Sequence, residues 1–377
     1  MSRFDRYMLS QLMMFFGFFS LVLVSIYWVN SAVRLFDRLI SDNQSVWVFL
    51  ELSALSLPTV ISRMLPVAGF VAVIYATNRM AQESELVVMQ ATGFSPTRIA
   101  RPVLFFGLIV ALLMSVLAHF LVPMARARQN ERNVEISENI SSKFLTEGSF
   151  LHPTNGLTMF IRTIDPSGEL HDLFLSDRRT AGTETSYFAR RAFLAKSESG
   201  PKLVMLDGIA QTLTTSSNRL SVTRFENSTF DIANLIATKG PRVPNLDERS
   251  TLTLLQADQE LLDETNQTRA MVLFNAHERF SNALLGLSIT LVAFAAMQSG
   301  SFTRFGMWRQ IGAATALFLA LFLLSNLTEK QAIRHESAFA APYLPGLIGL
   351  ALSYAMLAWV GRHRRGASTL KSVGSPA

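Results

Sequence analysis

The chain has 377 residues, enough for more than one domain. Charged residues make up 16% of it and hydrophobic residues 49%, against about 25% charged in an ordinary soluble domain. Mean hydropathy is nevertheless only +0.28, so part of the chain is membrane and part is water-soluble. The absence of cysteine excludes disulfides, thiolate zinc sites, iron–sulfur clusters and cysteine nucleophiles. A net charge of +6 is compatible with nucleic acid or with a membrane surface until the charges are located.

A hydrocarbon core about 30 Å thick takes about 20 apolar residues of helix. The first such run, Leu9 to Val33, is free of charge and rich in phenylalanine. At about 25 residues it is too long for a cleaved signal peptide, whose apolar core is about 7–15. Arg34, Asp37 and Arg38 follow it at i, i+3 and i+4 on one helix face, a pattern that fits an interfacial anchor with a local ion pair. Leu52 to Thr77 is apolar apart from Arg63, which stands between Pro58 and Pro66. An ionisable group at membrane depth points to a functional site. The prolines predict a kink that opens this helix toward a cavity, and snorkelling or pairing with Glu51 is the alternative for Arg63.

The connector to the third span carries Glu83, Ser84 and Glu85, and ends in Gly93 before Pro96. A helix over about 82–92 is expected there, with Gly93 as its stop. Glu83 and Glu85 fall in its first turn, where carboxylates suit the helix dipole. Leu86, Met89 and Gln90 share one face. Such a helix is either a solvated connector or a surface helix that docks into a partner. The third span, Val103 to Met124, holds only His119 as an ionisable group, which reads as a partnered packing residue.

From about Arg126 to Pro244 no run is long enough to span. Leu157 to Thr163, Leu170 to Leu175, Tyr187 to Ala195, Lys202 to Leu213 and Leu220 to Phe230 read as strands. Asn155-Gly156, Asp165-Pro-Ser-Gly168, Ser199-Gly-Pro201 and Ser216-Ser-Asn218 punctuate them. Six or more strands at this spacing predict a sandwich, barrel or jelly roll. Pro241 to Arg249 reads as a return linker and Thr251 to Thr268 as a short polar helix. Phe280 to Met297, Ile311 to Leu327 and Ala338 to Val360 complete six spans.

The fold class is therefore a membrane α-helical protein, three spans plus three, with an inserted all-β domain. The boundaries are 1–125, 126–250 and 251–377. Arg3, Arg6, Arg79, Arg98, Arg101, Arg304, Arg309 and the basic tail lie on one side of the spans, where only Arg34, Arg38, Lys330 and Arg334 flank the other short loops. Positive residues collect in the cytoplasm; both termini are expected inside and the β domain outside. Arg126, Arg128 and Arg132 run against this, but long translocated domains are largely exempt. No basic, aromatic-interleaved patch appears in the soluble part, so no nucleic-acid partner is expected.

The chain carries no phosphate-binding loop of the G-x-x-x-x-G-K-[ST] type, no G-x-S-x-G, and no second histidine four residues after His277. It is not expected to be an enzyme or to hold a metal or cofactor. An envelope structural or sensor protein, with the β domain binding a partner, needs no more than this layout. A hydrolase would need a nucleophile–base pair that no motif supplies.

Ser84-Glu-Leu-Val-Val-Met-Gln-Ala-Thr-Gly-Phe94 closely resembles the coupling-helix motif of the lipopolysaccharide-export permeases, the LptF/LptG family. The resemblance covers the chain: the Asp5-Arg-Tyr7 start, the Pro58-to-Pro66 second span, the three-plus-three layout and a periplasmic β-jelly-roll domain. The coupling motif leans toward LptG. His277-Glu-Arg-Phe280, Ser301 to Gly306 and the strands between Leu157 and Arg178 look more like LptF, which is favoured. The resemblance implies one permease half of an ABC exporter in the inner membrane. It would pair with its paralogue and bind a dimer of the ATPase LptB, which would bind the ATP. Lipopolysaccharide would be extracted and passed through the β domain toward LptC and LptA. Glu85 takes the position of the ATPase-engaging glutamate, with Glu83, Ser84, Leu86, Met89 and Gly93 around it. Arg34 matches a basic position facing the phosphorylated lipid, and Arg38 and Arg63 are further candidates, since guanidinium groups bind phosphate bidentately. Two positions that are lysine in relatives look like Ser31, Ile40 or Ser41 here.

Overall fold

The structure, a computed structural model, describes residues 2–41, 45–143, 147–154, 156–165, 168–180, 182–197, 200–215, 217–231, 244–300 and 307–373. The chain divides into two compact units, Met1–Gln129 with Pro244–Ala377, and Asn130–Val243.

Among the described residues, the first unit holds six helices long and apolar enough to cross a membrane, one for each expected run. Helix α1 (Arg3–Ser41) starts from a reciprocal cap: Ser2 N–H donates to Asp5 Oδ2 and Asp5 N–H to Ser2 Oγ. Helix α2 (Val46–Gln82) remains helical through Pro58 and Pro66. The third span runs from the short α4 (Pro96–Ile99) through α5 (Arg101–Val116), a π-helical turn at Leu117–Leu121, and α6 (Val122–Lys143). Between α2 and α4 lies the seven-residue α3 (Glu85–Ala91). The remaining spans are α9 (Arg269–Gln298), α10 (Trp308–Arg334) and the first part of α11 (Leu344–Val373).

Helix α9 is the centre of this unit. Two thirds (67%) of its apolar window is buried, against 11% for the first span. Lipid is as apolar as leucine, so helices associate by close packing of small residues. Gly69 on α2 and Gly107 on α5 both approach Thr290 of α9. Gly346 and Gly349 on α11 approach Leu284 and Ser288. A Cβ on Gly107 would stand 2.5 Å from Thr290 Oγ1 and 2.7 Å from Leu287 Cδ1. Phe70 of α2 stacks on Phe318 of α10 at 4.7 Å.

The return segment folds as two helices, α7 (Thr251–Gln256) and α8 (Gln259–Thr265), where one was expected; Ala257 and Asn266, at φ +45° and +49°, end them. Leu254 and Leu261 pack with Val272 and Ala276 of α9. Arg279 of α9 ties the segment down, donating to Thr251 Oγ1 (2.8 Å) and to the carbonyls of Arg249 (2.9 Å) and Leu246 (3.3 Å). His119, in the π turn, hydrogen-bonds through Nδ1 to the same Thr251 hydroxyl (2.8 Å) and packs on Phe280. It is a partnered packing residue, as its sequence context predicts.

Among the described residues, the second unit carries six strands: β1 (Phe150–Thr154), β2 (Leu157–Ile164), β3 (Leu170–Asp177), β4 (Thr183–Ser197), β5 (Gly200–Thr214) and β6 (Arg219–Asp231). They form one antiparallel sheet in chain order. The all-β insert is as expected, and its described part is a meander; β1 is a strand the sequence reading did not single out. Gly156 and Gly168 turn the hairpins at φ +84°. Ladder pairing skips one residue on each of β2 to β6 along a single transverse row: Arg162, Asp172, Arg190, Asp207 and Glu226. Asp172 and Asp207 take positive φ there (+51° and +52°), and Arg162 pairs with Asp172 at 3.4 Å. This charged row is a line of interruptions in the ladder. Leu157, Met159, Ile161 and Leu175 on one side of the row and Leu170, Ala192, Leu203 and Met205 on the other form one buried cluster.

Substituting Gly107 by alanine is expected to destabilise the membrane unit by about 1–3 kcal/mol through overpacking against α9. Thermal unfolding of the detergent-solubilised protein checks this; an unchanged midpoint contradicts the close approach.

Candidate functional site

Helix α3 is fastened by its inner face. Ser84 precedes it in the left-handed conformation (φ +62°), separating it from α2. Glu83 therefore lies on the C-cap of α2, not in the first turn of α3 as expected. Its carboxylate reaches back one turn to Arg79 (2.8 Å). Glu85 opens α3, with Oε1 accepting from Tyr7 Oη–H of α1 at 3.0 Å. Oε2 is buried and has no hydrogen-bond partner among the described residues.

The end of α3 explains Gly93. Phe94 N–H donates to Met89 C=O and Gly93 N–H to Gln90 C=O, the two bonds of a Schellman stop. Gly93 sits at φ +89°, which a side chain rarely adopts. Met89 and Phe94 pack on the same core. Ser95 then caps α4, its hydroxyl accepting from Arg98 N–H.

The face that Leu86, Met89 and Gln90 share is turned inward. Leu86 is fully buried in the membrane-unit core with Met8, Leu12 and Ile99. Met89 is half-buried against that core, and Gln90 donates to Gln298 Oε1 of α9 (3.1 Å). These residues anchor the helix, because burial of Leu86 there removes more apolar area from water than any exposed position would. The outward face carries Val87 and Val88, 42% and 59% exposed. These two adjacent valines give α3 an exposed apolar surface that helical periodicity alone does not single out.

At the other end of α1, Arg34 is exposed and donates to Asn30 Oδ1 one turn earlier (3.3 Å). The side chain of Arg38 lies outside the described residues. Arg63 donates to Tyr27 Oη of α1 at 3.5 Å, a long contact. It opens onto a cavity of about 660 Å³ among α2, the third span, α9 and α10. Met64, Val67, Met114, Leu285, Ile289 and Phe318 supply its apolar wall, and Arg126, Asp247, Glu278, Arg279, Asn326 and Glu329 its polar part. Arg34, outside this lining, is not brought together with Arg63. Glu278 and Arg279 were missed as cavity residues because the apolar run begins only at Phe280, whereas α9 begins at Arg269. Extending the run back by helical length is the signal that finds them.

Among the described residues, Asp165, Glu169 and His171 bring metal-ligating atoms within 4.8 Å of one another at the β2–β3 turn. Arg191 Nε lies 3.7 Å from Glu169 Oε1 and offsets the charge there.

A polytopic membrane protein with an all-β insert and an anchored connector helix between its second and third spans is the class these features define. A sequence model of the "lipopolysaccharide export system permease LptF/LptG" family matches residues 6–359. The chain belongs to that family. It is 22% identical over 311 residues to an uncharacterized protein of Rickettsia prowazekii, covering 81% of this chain and 86% of that one. It is 24% identical over 272 residues to lipopolysaccharide export system permease protein LptF of Escherichia coli K12 (72% and 69% covered). It is 22% identical over 162 residues to LptG of Haemophilus influenzae (41% and 43%).

Leu86→Ala is expected to cost about 2–5 kcal/mol at α3, and Val88→Ala under about 0.5 kcal/mol. Hydrogen exchange of the α3 amides checks this: speeding by Leu86→Ala but not Val88→Ala supports the inward anchor, and the reverse contradicts it.

Proposed function

We propose that this chain is the LptF-type permease half of an ABC exporter that extracts lipopolysaccharide from the inner membrane, with both termini in the cytoplasm and the β domain in the periplasm. The observation that carries the reading is the build of α3: a buried leucine anchor inside, two exposed valines outside, and a carboxylate at its first position. A partner that pushes on the outer face moves the core packed beneath it, which is what a coupling helix must do. The partner is an LptB dimer, which binds and hydrolyses the ATP; this chain supplies no catalytic residue. The paralogous permease completes the membrane pair, and LptC and LptA receive the lipid from the β domain.

The longer match to LptF than to LptG supports the branch. On the substrate side, Arg34 stands exposed at the outer end of α1, free to meet a lipid phosphate. Arg63 lies on the cavity, whose apolar wall suits acyl chains and whose arginines suit phosphate. Arg38 is a further phosphate candidate on the face that Arg34 begins.

One preparation of the permease pair with its ATPase tests both ends. Glu85→Lys is expected to weaken ATPase retention at least about tenfold, the scale of a lost charge-assisted contact. Arg34→Glu is expected to leave retention intact and lower lipopolysaccharide crosslinking to α1. Full retention by the first variant overturns the coupling role, and unchanged crosslinking in the second overturns the phosphate role.

A further inference from the structure

The carboxylates of Glu83 and Glu85 sit two residues apart and are held in opposite ways. Glu83 is neutralised by Arg79, Nε to Oε1 at 2.8 Å, and Arg79 is also held over the Phe15 ring at 5.8 Å. The Arg79 guanidinium is thus engaged. Glu85 is held by a phenol instead: Tyr7 Oη–H donates to Oε1 at 3.0 Å. A neutral donor fixes the direction of a carboxylate without cancelling its charge, whereas a lysine or arginine in its place would do both. Oε2 is buried, so the exposed hydrogen bond at Oε1 is the part of the carboxylate open to a partner.

Tyr7 comes from α1, and α1 contributes more than this one bond to the connector. Phe4 meets Phe94 edge-on at 6.3 Å. Met8 and Leu12 share the buried cluster with Leu86. Phe4, Tyr7 and Met8 lie at i, i+3 and i+4, one face of one helix. That helix continues unbroken to Ser41, so Arg34 is about 40 Å further along the same rod.

We propose that Tyr7 is a positioning residue for the coupling contact. It orients Glu85 as a charged acceptor toward a cationic group of the ATPase, and it makes α1 the element on which that contact bears. Tyr7 does not itself touch the ATPase; it acts through Glu85. The inference rests on the coupling role of Glu85.

The test is a double-substitution cycle on the full complex of the two permeases and the ATPase. ATPase retention and lipopolysaccharide released per ATP hydrolysed are measured for Tyr7→Phe, Glu85→Ala and the pair. Tyr7→Phe removes one oxygen and leaves the ring packing. It is expected to weaken retention and coupling about threefold to tenfold, the scale of one ordinary hydrogen bond, and to add nothing to Glu85→Ala. A general loosening of α1 would instead multiply with Glu85→Ala, because independent defects add in free energy. Wild-type behaviour of Tyr7→Phe, or multiplication of the two effects, overturns the proposal. Wild-type retention by Glu85→Ala overturns the coupling role beneath it, so the two failures are distinct.

Discussion

In hydrocarbon there is no hydrophobic reward for bringing two apolar helices together; only contact at close range holds them. The membrane unit meets this constraint around α9. Glycines on α2, α5 and α11 bring three backbones against Leu284, Leu287, Ser288 and Thr290. Everything else in the unit takes its position from that packing. The cavity lies among α2, the third span, α9 and α10, and Glu278 and Arg279 of α9 contribute to its polar part. Arg279 spends its donors on the return segment and so sets where the chain re-enters the unit.

The connector α3 is governed by the same packing at the other end of the spans. At seven residues it is far too short to be stable alone. Its geometry comes from Leu86 in the core, a left-handed residue before it and a Schellman stop after it. A short helix fixed in this way has no freedom to roll, so a load on its exposed valines passes to the helices beneath. That is the physical content of the transport proposal: the lever is rigid because its inner face is part of the core.

The six spans were legible because length and apolarity alone define them. The strands after Leu157 were legible from alternation and from the Gly and Asn turns. Gly93 was legible as a helix stop, and its φ of +89° gives the reason. The orientation of α3 was not legible. Periodicity groups Leu86 with Met89, but it cannot say whether a face meets the core or a partner when Val87 and Val88 are apolar too. Arg63 was found because it interrupts an apolar run. Glu278 and Arg279 were not, because they precede one, and only the true start of α9 brings them to the cavity. The charged row across the sheet was hidden for a third reason: Arg162, Asp172, Arg190, Asp207 and Glu226 line up only after five strands are in register.

The central claim is that the outward face of α3 is the docking surface and its inward face is an anchor. Photo-crosslinking in membranes that contain the assembled transporter tests it most directly, with a photoreactive amino acid placed singly at Val88 and at Leu86. The account predicts an adduct with the cytoplasmic ATPase from position 88 and none from position 86. An ATPase adduct from position 86, or none from position 88, would contradict it.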